Sequence, residues 1–295
     1  MIDQPNVAPE GLVVVDKPAG LTSHAVVARL RKAAGTRRVG HAGTLDPMAT
    51  GVLVVGVGRA TRLLGHVALT DKSYDATIRL GVSTVTDDAE GEVLTATSAA
   101  HLTDAEVAAG LAALTGDIEQ VPSAVSAIKV DGVRAHRLVR AGDEVQLTSR
   151  RVTVHRLALL ATHRSGDVVD LDVSVDCTTG TYVRALARDL GAGLGVGGHL
   201  TALRRTRVGP YDLGAAHPLA RLEEQLRLVP LDQAAAAAFP RLDVPAEQVR
   251  SVLHGVRLPV SGVGAGAVAV FGPDGTLLAL AHDDDGLLRY DAVFA

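Results

Sequence analysis

Apolar residues along this chain come in short bursts, and their spacing predicts alternating strands and helices. Residues 12–15 form a continuous apolar run stopped by Asp16-Lys17-Pro18-Ala19-Gly20, a strand entering a turn. Thr22 or Ser23 then caps a helix through Ala25-Val26-Val27-Ala28-Arg29-Leu30 that ends near Gly35. Residues 52–57 read as a buried strand and 59–69 as a helix. Residues 74–80 and 93–96 alternate like strands on either side of an acidic loop at 83–92. A capping box, Thr103-Asp104-Ala105-Glu106, opens a helix over 103–114. Residues 152–160 and 168–175 alternate as a strand pair, and 181–190 have helical spacing. A basic segment at 200–208 leads to Gly209-Pro210-Tyr211.

Past the alanine run at 234–238 the texture changes. Brief apolar segments at 252–253, 267–271, 277–280 and 287–288 are separated by glycines and by Asp283-Asp284-Asp285. This predicts a small, mostly β module of about 55 residues, near the lower limit for an independent core and expected to lean on what precedes it. The whole reads as a two-domain α+β chain: a mixed, largely antiparallel sheet flanked by helices over 1–238, then the small β module at 241–295.

Composition narrows the class. Hydrophobic residues make up 47% and charged residues 21% of 295, enough to bury a core and to exclude a disordered chain. Mean hydropathy is +0.23, yet the longest apolar runs fall far short of the roughly 18–20 residues that span a bilayer. The opening Met1-Ile2-Asp3-Gln4 lacks the basic and apolar stretches of a secretory signal. A single cysteine, Cys177, excludes an intramolecular disulfide framework and a thiolate zinc cluster. A reducing, cytoplasmic setting is expected. With four Tyr, three Phe and no Trp, the core is aliphatic and each tyrosine is a candidate for chemistry.

The net charge of -4 averages over unlike blocks. Between Asp16 and Gly65 eight bases face only Asp16 and Asp46, and between Lys129 and Arg164 eight bases face three acids. Ten acids against Lys72 and Arg79 fill 70–119. Two basic blocks of this kind are the electrostatic footprint of a polyanionic partner, although solvated surface arginines would give the same count.

Two glycine patterns imitate nucleotide loops. The run Gly193-Leu194-Gly195-Val196-Gly197-Gly198 follows a predicted helix rather than a strand, so no helix N-terminus is aimed at a pyrophosphate. Gly56-Val57-Gly58 lacks a third glycine and a following lysine, and reads as a hinge. Histidines in metal-ligand spacing are absent from the sequence, as is a Gly-x-Ser-x-Gly elbow. The segment Gly40-His41-Ala42-Gly43-Thr44-Leu45-Asp46-Pro47-Met48-Ala49-Thr50-Gly51 is different. Taken alone, Asp46 followed by Pro47 reads as a helix cap. Between two basic flanks, however, a lone carboxylate weakens phosphate binding unless it acts on the ligand.

This segment resembles the catalytic motif of the bacterial tRNA pseudouridine-55 synthases, the TruB type, in which the aspartate is the nucleophile. Val15-Asp16-Lys17-Pro18-Ala19-Gly20-Leu21-Thr22-Ser23-His24 resembles the family's first motif, and Lys72-Ser73-Tyr74 opens the strand that carries its active-site tyrosine. Gly180-Thr181-Tyr182-Val183-Arg184-Ala185-Leu186 resembles a third motif, and residues 199–205 match the segment with its pocket leucine. The likeness runs through most of the first 210 residues.

The resemblance implies conversion of uridine to pseudouridine in the tRNA T stem-loop by base flipping, without a cofactor or metal. It assigns catalysis to Asp46, Arg184 and Tyr74, and substrate binding to His41, Tyr74, Tyr182, Leu203 and Lys17. A guanidinium beside the acid would keep it ionised in a dry pocket, and Tyr74 offers a face for the flipped base. Without the motif, Arg184 reads as an exposed cation on an amphipathic helix, and the others as core packing or a loop histidine. Residues at about 116–150 resemble an RNA-clamping insertion, departing from it at Val125 and His136, where tyrosine is common. The last 55 residues stand where the family has a PUA domain but match it poorly, and their excess of acids does not favour phosphate contact. A monomer acting on tRNA, with no membrane association, is expected. Two rival readings are a non-catalytic tRNA-binding or folding protein on the same scaffold, and a synthase for another RNA uridine.

Overall fold

A computed structural model describes residues 9–125, 129–130, 133–134, 147–260, 263–264 and 266–294. His136 and the 126–128 part of the expected clamp lie outside the described residues. The chain gathers into two compact units, one from residues 1–47, 51–69 and 208–295, the other from 48–50 and 70–207.

In the first unit, strand Gly11–Lys17 runs antiparallel to Thr50–Val57, with Gly11 opposite Val57 and Lys17 opposite Gly51. Val39–Ala42 pairs antiparallel with the 54–57 end of the same strand. Both long strands are continuous apolar runs because both of their faces are covered. Helix Ser23–Ala34 starts where Thr22 Oγ1 accepts from the Ala25 N–H at 3.0 Å, and it ends on Gly35, whose φ of 61° suits glycine. The expected 59–69 helix is instead a 3₁₀ turn, Gly58–Leu63, followed by the short helix Leu64–Ala68. Thr61 Oγ1 donates to the Gly58 carbonyl at 2.8 Å and tightens that first turn.

The C-terminal sheet belongs to this unit. Its strands are Arg241–Asp243, Val268–Phe271, Leu277–Asp284 and Leu287–Val293, parallel across the first pair and antiparallel thereafter. Alternation along Val268–Phe271 explains why all four residues are buried. Ala269 and Phe271 enter a cluster with Leu12, Val14, Val52 and Val54, whereas Val268 and Val270 enter a second one with Val244, Val252 and Leu278. The module therefore shares its core with the first strands of the chain, as its size predicts. One element differs from expectation. Val252-Leu253, read as part of a β segment, ends helix Ala246–Leu253. With Val249 they occupy i, i+3 and i+4 positions, a period that a dipeptide read alone does not reveal.

In the second unit, strands Gly198–Val208, Lys72–Leu80, Val168–Cys177, Arg150–Ser165 and Gly116–Gln120 lie side by side in that order. Tyr74, Ala76, Ile78 and Leu80 are buried with Val169, Leu171, Val173 and Val175 on one face. The other face is polar and paired across strands, through Arg79 with Asp170, Thr77 with Asp172 and Ser73 with Asp176. Helices Asp104–Ala113 and Val183–Gly193 belong to this unit, the first opened by the predicted capping box. The 193–198 glycines serve packing and turning. Gly195 and Gly197 have φ of 73° and 76°, and a Cβ on Gly198 would lie 2.5 Å from the Ala187 carbonyl oxygen. The basic 200–208 segment is the extended strand Gly198–Val208.

Candidate active site

The loop carrying Asp46 is anchored on both sides of it. Leu45 is buried, and its N–H donates to Ser23 Oγ at 2.8 Å while that hydroxyl donates back to the Leu45 carbonyl at 3.0 Å. On the other side, the Pro47 carbonyl accepts from the Gly20 N–H at 2.8 Å and from Lys17 Nζ at 3.2 Å. Lys17 is 0% exposed, and its ammonium also donates to the carbonyls of Pro18 and Leu21. Lys17, one of the sequence-predicted substrate residues, is wrapped in backbone oxygens and ties the first motif to the Asp46 loop. Asp46 itself is half-buried in an irregular stretch with no helix after it, so Asp46-Pro47 is not a helix cap. His41, also half-buried, meets His24 edge to face with ring centres 5.3 Å apart.

The second unit carries the other sequence-predicted residues. Tyr74 is buried on strand Lys72–Leu80, opposite Val175. Buried Leu203, on strand Gly198–Val208, lines a cavity of about 580 Å³ with Thr50, Thr77, Asp172 and Arg204. Tyr182 and Arg184 flank the start of helix Val183–Gly193, with Tyr182 extended at its N-cap. The Arg150 guanidinium sits 5.1 Å from the centre of the Tyr182 ring, within cation–π range. Buried Gln120 holds the Tyr182 backbone, accepting from its N–H at 2.8 Å and donating to its carbonyl at 3.1 Å.

Arg184 is only 4% exposed, which removes the reading of it as a surface cation. Its guanidinium donates to the carbonyls of Thr86 at 2.6 Å and Val125 at 2.9 Å, and faces the Asp88 carboxylate at 3.5 Å. One turn on, Arg188 reaches Asp87 at 3.3 Å and the Val121 carbonyl at 2.7 Å. Burial pushes the Asp87 carboxyl up, against the pull of Arg188 and Arg184. Asp87 and Asp88 sit in the loop that the sequence marks only as acidic; what sets them apart is burial beside two arginines roughly 100 residues away. Lys72 is likewise buried, and burial, then the Arg205 charge, bring its ammonium down to about 8.

Among the described residues, no group of three or more His, Cys, Asp or Glu side chains is arranged to hold a metal ion, and no helix is long and apolar enough to cross a membrane. A half-exposed carboxylate on an anchored loop suits nucleophilic attack. A buried guanidinium and a buried tyrosine suit orientation and proton transfer.

Three family models together match residues 31–295. Residues 31–183 match the TruB family pseudouridylate synthase N-terminal domain. Residues 184–250 match the tRNA pseudouridylate synthase B C-terminal domain, and 239–295 the C-terminal domain of tRNA pseudouridine synthase II. The tRNA pseudouridine synthase B of Streptomyces griseus is 59% identical over 292 residues, 97% of this chain and 98% of that protein. That of Thermobifida fusca is 59% identical over 290 residues, 97% and 99% of the two chains. A chain in the crystal structure of a Cbf5-Nop10-Gar1 complex superposes with a TM-score of 0.74 at 26% identity, covering 97% of this chain and 85% of that one.

Proposed function

Given that the chain belongs to the TruB family of pseudouridine synthases, we propose that its substrate is uridine 55 in the T loop of tRNA and that Asp46 is the nucleophile. Pseudouridine synthase activity on tRNA goes with the family and with relatives matched over nearly their full length. The reaction redistributes bonds within one nucleoside. The N1–C1′ bond breaks, the base turns, C5 bonds to C1′, the C5 proton leaves and N1 takes up a proton. Electrons balance without an oxidant or reductant. The Asp46 side chain supplies the attacking oxygen.

A uridine inside a folded loop must leave its stack to meet that carboxylate. In this reading Tyr74 stacks under the flipped base and helps move the C5 proton, Tyr182 and Leu203 line its pocket, and His41 fills the space it vacates. Arg184 serves as the second catalytic residue, in the place of the family's motif arginine, and Lys17 supports binding through the loop it ties down. The enzyme meets the T stem-loop as a monomer in the cytoplasm and uses no cofactor.

The observation that carries the reading is the mounting of Asp46. Buried Ser23 and Lys17 fix the residues on either side of it, and it caps no helix. Nucleoside chromatography and mapping of an unmodified tRNA after incubation test it. Wild type is expected to place pseudouridine at position 55. Asp46→Asn should bind the same tRNA but lose at least about four orders of magnitude in rate, because an amide is no nucleophile. Substantial turnover by Asp46→Asn would overturn the assignment, and product at another uridine would overturn the substrate.

A further inference from the structure

Gln120 ends the edge strand Gly116–Gln120, where it pairs with Arg150, and its side chain is 0% exposed. A long polar side chain is buried only when its carboxamide is satisfied. Here both of its ends close on one residue, Tyr182, in the two-bond pattern of a β-bridge. That residue is the N-cap of helix Val183–Gly193, at φ −104° and ψ 107°, with no side-chain cap of its own. Its carbonyl also accepts from the Leu186 N–H at 3.1 Å, so Gln120 grips the carbonyl on which the helix begins.

The grip does not stand alone. Arg184 Nη2 donates to the Val125 carbonyl and Arg188 Nη2 to the Val121 carbonyl. Helix Val183–Gly193 and its cap are thus tied three times to one strap, residues 120–125. Pro122 lies within that strap, where it fixes φ and offers no N–H to a competing partner. Val121 is exposed, so at that position the tie is polar rather than apolar. Of the three ties, only the one from Gln120 acts on the backbone of the residue that enters the helix. A shift there moves the Tyr182 ring and, two residues later, the root of Arg184.

We propose that Gln120 is a positioning residue for the isomerisation, setting Tyr182 and Arg184 by holding both backbone polar atoms of Tyr182. This rests on the active-site reading above for those two residues. Geometry lost at a reacting centre costs rate more than affinity.

Gln120→Met keeps the volume and removes both bonds. It should lower kcat by about 10- to 100-fold while changing the Kd for tRNA less than about threefold. Gln120→Glu separates positioning from filling. Its carboxylate can accept from the Tyr182 N–H but cannot donate to the carbonyl, whereas the protonated acid does both. The rate of Gln120→Glu relative to wild type should therefore rise severalfold between pH 8 and pH 6, while that of Gln120→Met stays flat. Hydrogen exchange at Tyr182 to Leu186 should accelerate at least about tenfold in Gln120→Met, with the rest of the unit protected as before. A kcat within twofold of wild type in Gln120→Met would overturn the proposal. Wild type failing to convert uridine 55 would sink the functional reading instead. The exchange measurement then decides separately whether Gln120 governs Tyr182, and unchanged protection would refute it.

Discussion

Arg184→Met tests whether the second unit spends stability to hold a buried cation. The wild-type guanidinium and the Asp88 carboxylate it faces have side chains only 4% and 5% exposed. Asp88 is otherwise held by Thr86 Oγ1 at 2.5 Å and the Glu90 N–H at 3.1 Å. Methionine fills much of the arginine volume but leaves a buried carboxylate without its counter-charge. It also takes a donor from the carbonyls of Thr86 and Val125. Breaking a buried pair from one side costs about 3–5 kcal/mol, most of it the stranded charge. Each carbonyl left short of a partner adds up to about 1 kcal/mol, partly relieved by relaxation or water. The expected loss is about 4 kcal/mol. With a urea m-value near 3 kcal/mol/M, the midpoint of the second unit's transition should fall by roughly 1 M. Adding Asp88→Asn removes the stranded charge while keeping an oxygen for Thr86 and Glu90. The double variant should therefore regain about 2 kcal/mol over Arg184→Met alone. If it is no more stable than the single variant, the buried charge is not the source of the cost and the electrostatic account fails.

Tyr74→Phe should keep tRNA binding, because the ring still stacks at roughly 1–3 kcal/mol per base, but should slow product formation by losing the hydroxyl. Equal single-turnover rates for wild type and Tyr74→Phe, with loss only in Tyr74→Leu, would leave stacking as its whole role. Lys72→Met addresses a buried ammonium whose folded pKa, about 8, lies below the unfolded value near 10.4. Below pH 8 the protonated lysine is the costlier form in the fold, and between pH 8 and about 10.5 the unfolded chain binds more protons, so stability rises with pH in that window. Lys72→Met should thus be more stable than wild type by about 2 kcal/mol at pH 7, an advantage that shrinks by pH 10. Urea midpoints at the two pH values measure it, and an equal advantage at both would contradict the assignment.

Elements with local signals were legible from the sequence. Thr22 and Gly35 bracket a helix through caps that act within a few residues, and Thr103 with Glu106 closes its box across three. Alternation over 74–80 and 168–175 marks strands with one polar face, found as Lys72–Leu80 and Val168–Cys177. Failures came where the period was too short to show. Gly58–Leu63 adopts a 3₁₀ turn because its own Thr61 hydroxyl tightens it, which no apolar spacing records. The apolar segment 267–271, read as part of a mostly β module, holds strand Val268–Phe271, but its double burial depends on two clusters that form only in the folded chain.

The site shows a sharper division. Asp46 stood out because a carboxylate among bases is electrostatically anomalous, a property of sequence alone. Arg184 had the opposite fate. Helical spacing put it on a polar face, yet the first turn of its helix is buried all round, from Val183 through Ala187, so amphipathicity does not apply there. Only the motif pointed to it. Asp87 and Asp88 carried no signal of burial, and Gln120 only its place in the clamp-like segment, since each acquires its role from a partner about 60 to 100 residues away.

Charge counting pointed to a polyanionic partner, and the pairing of those charges in the fold bears on how RNA is met. An arginine that already holds a carboxylate presents a dipole, not a full charge, to a distant phosphate. In the first basic block Arg29 pairs with Glu223 and Arg59 with Glu10, while Lys17 is buried. In the second, Arg151 pairs with Asp117, Arg156 with Asp176 and Arg164 with Asp104. The long-range field is therefore weaker than the counts of +6 and +5 suggest. These exposed pairs contribute little to stability, so each can open when a phosphate offers a better partner. Under the proposed function, RNA binding then exchanges internal carboxylates for phosphates at several arginines.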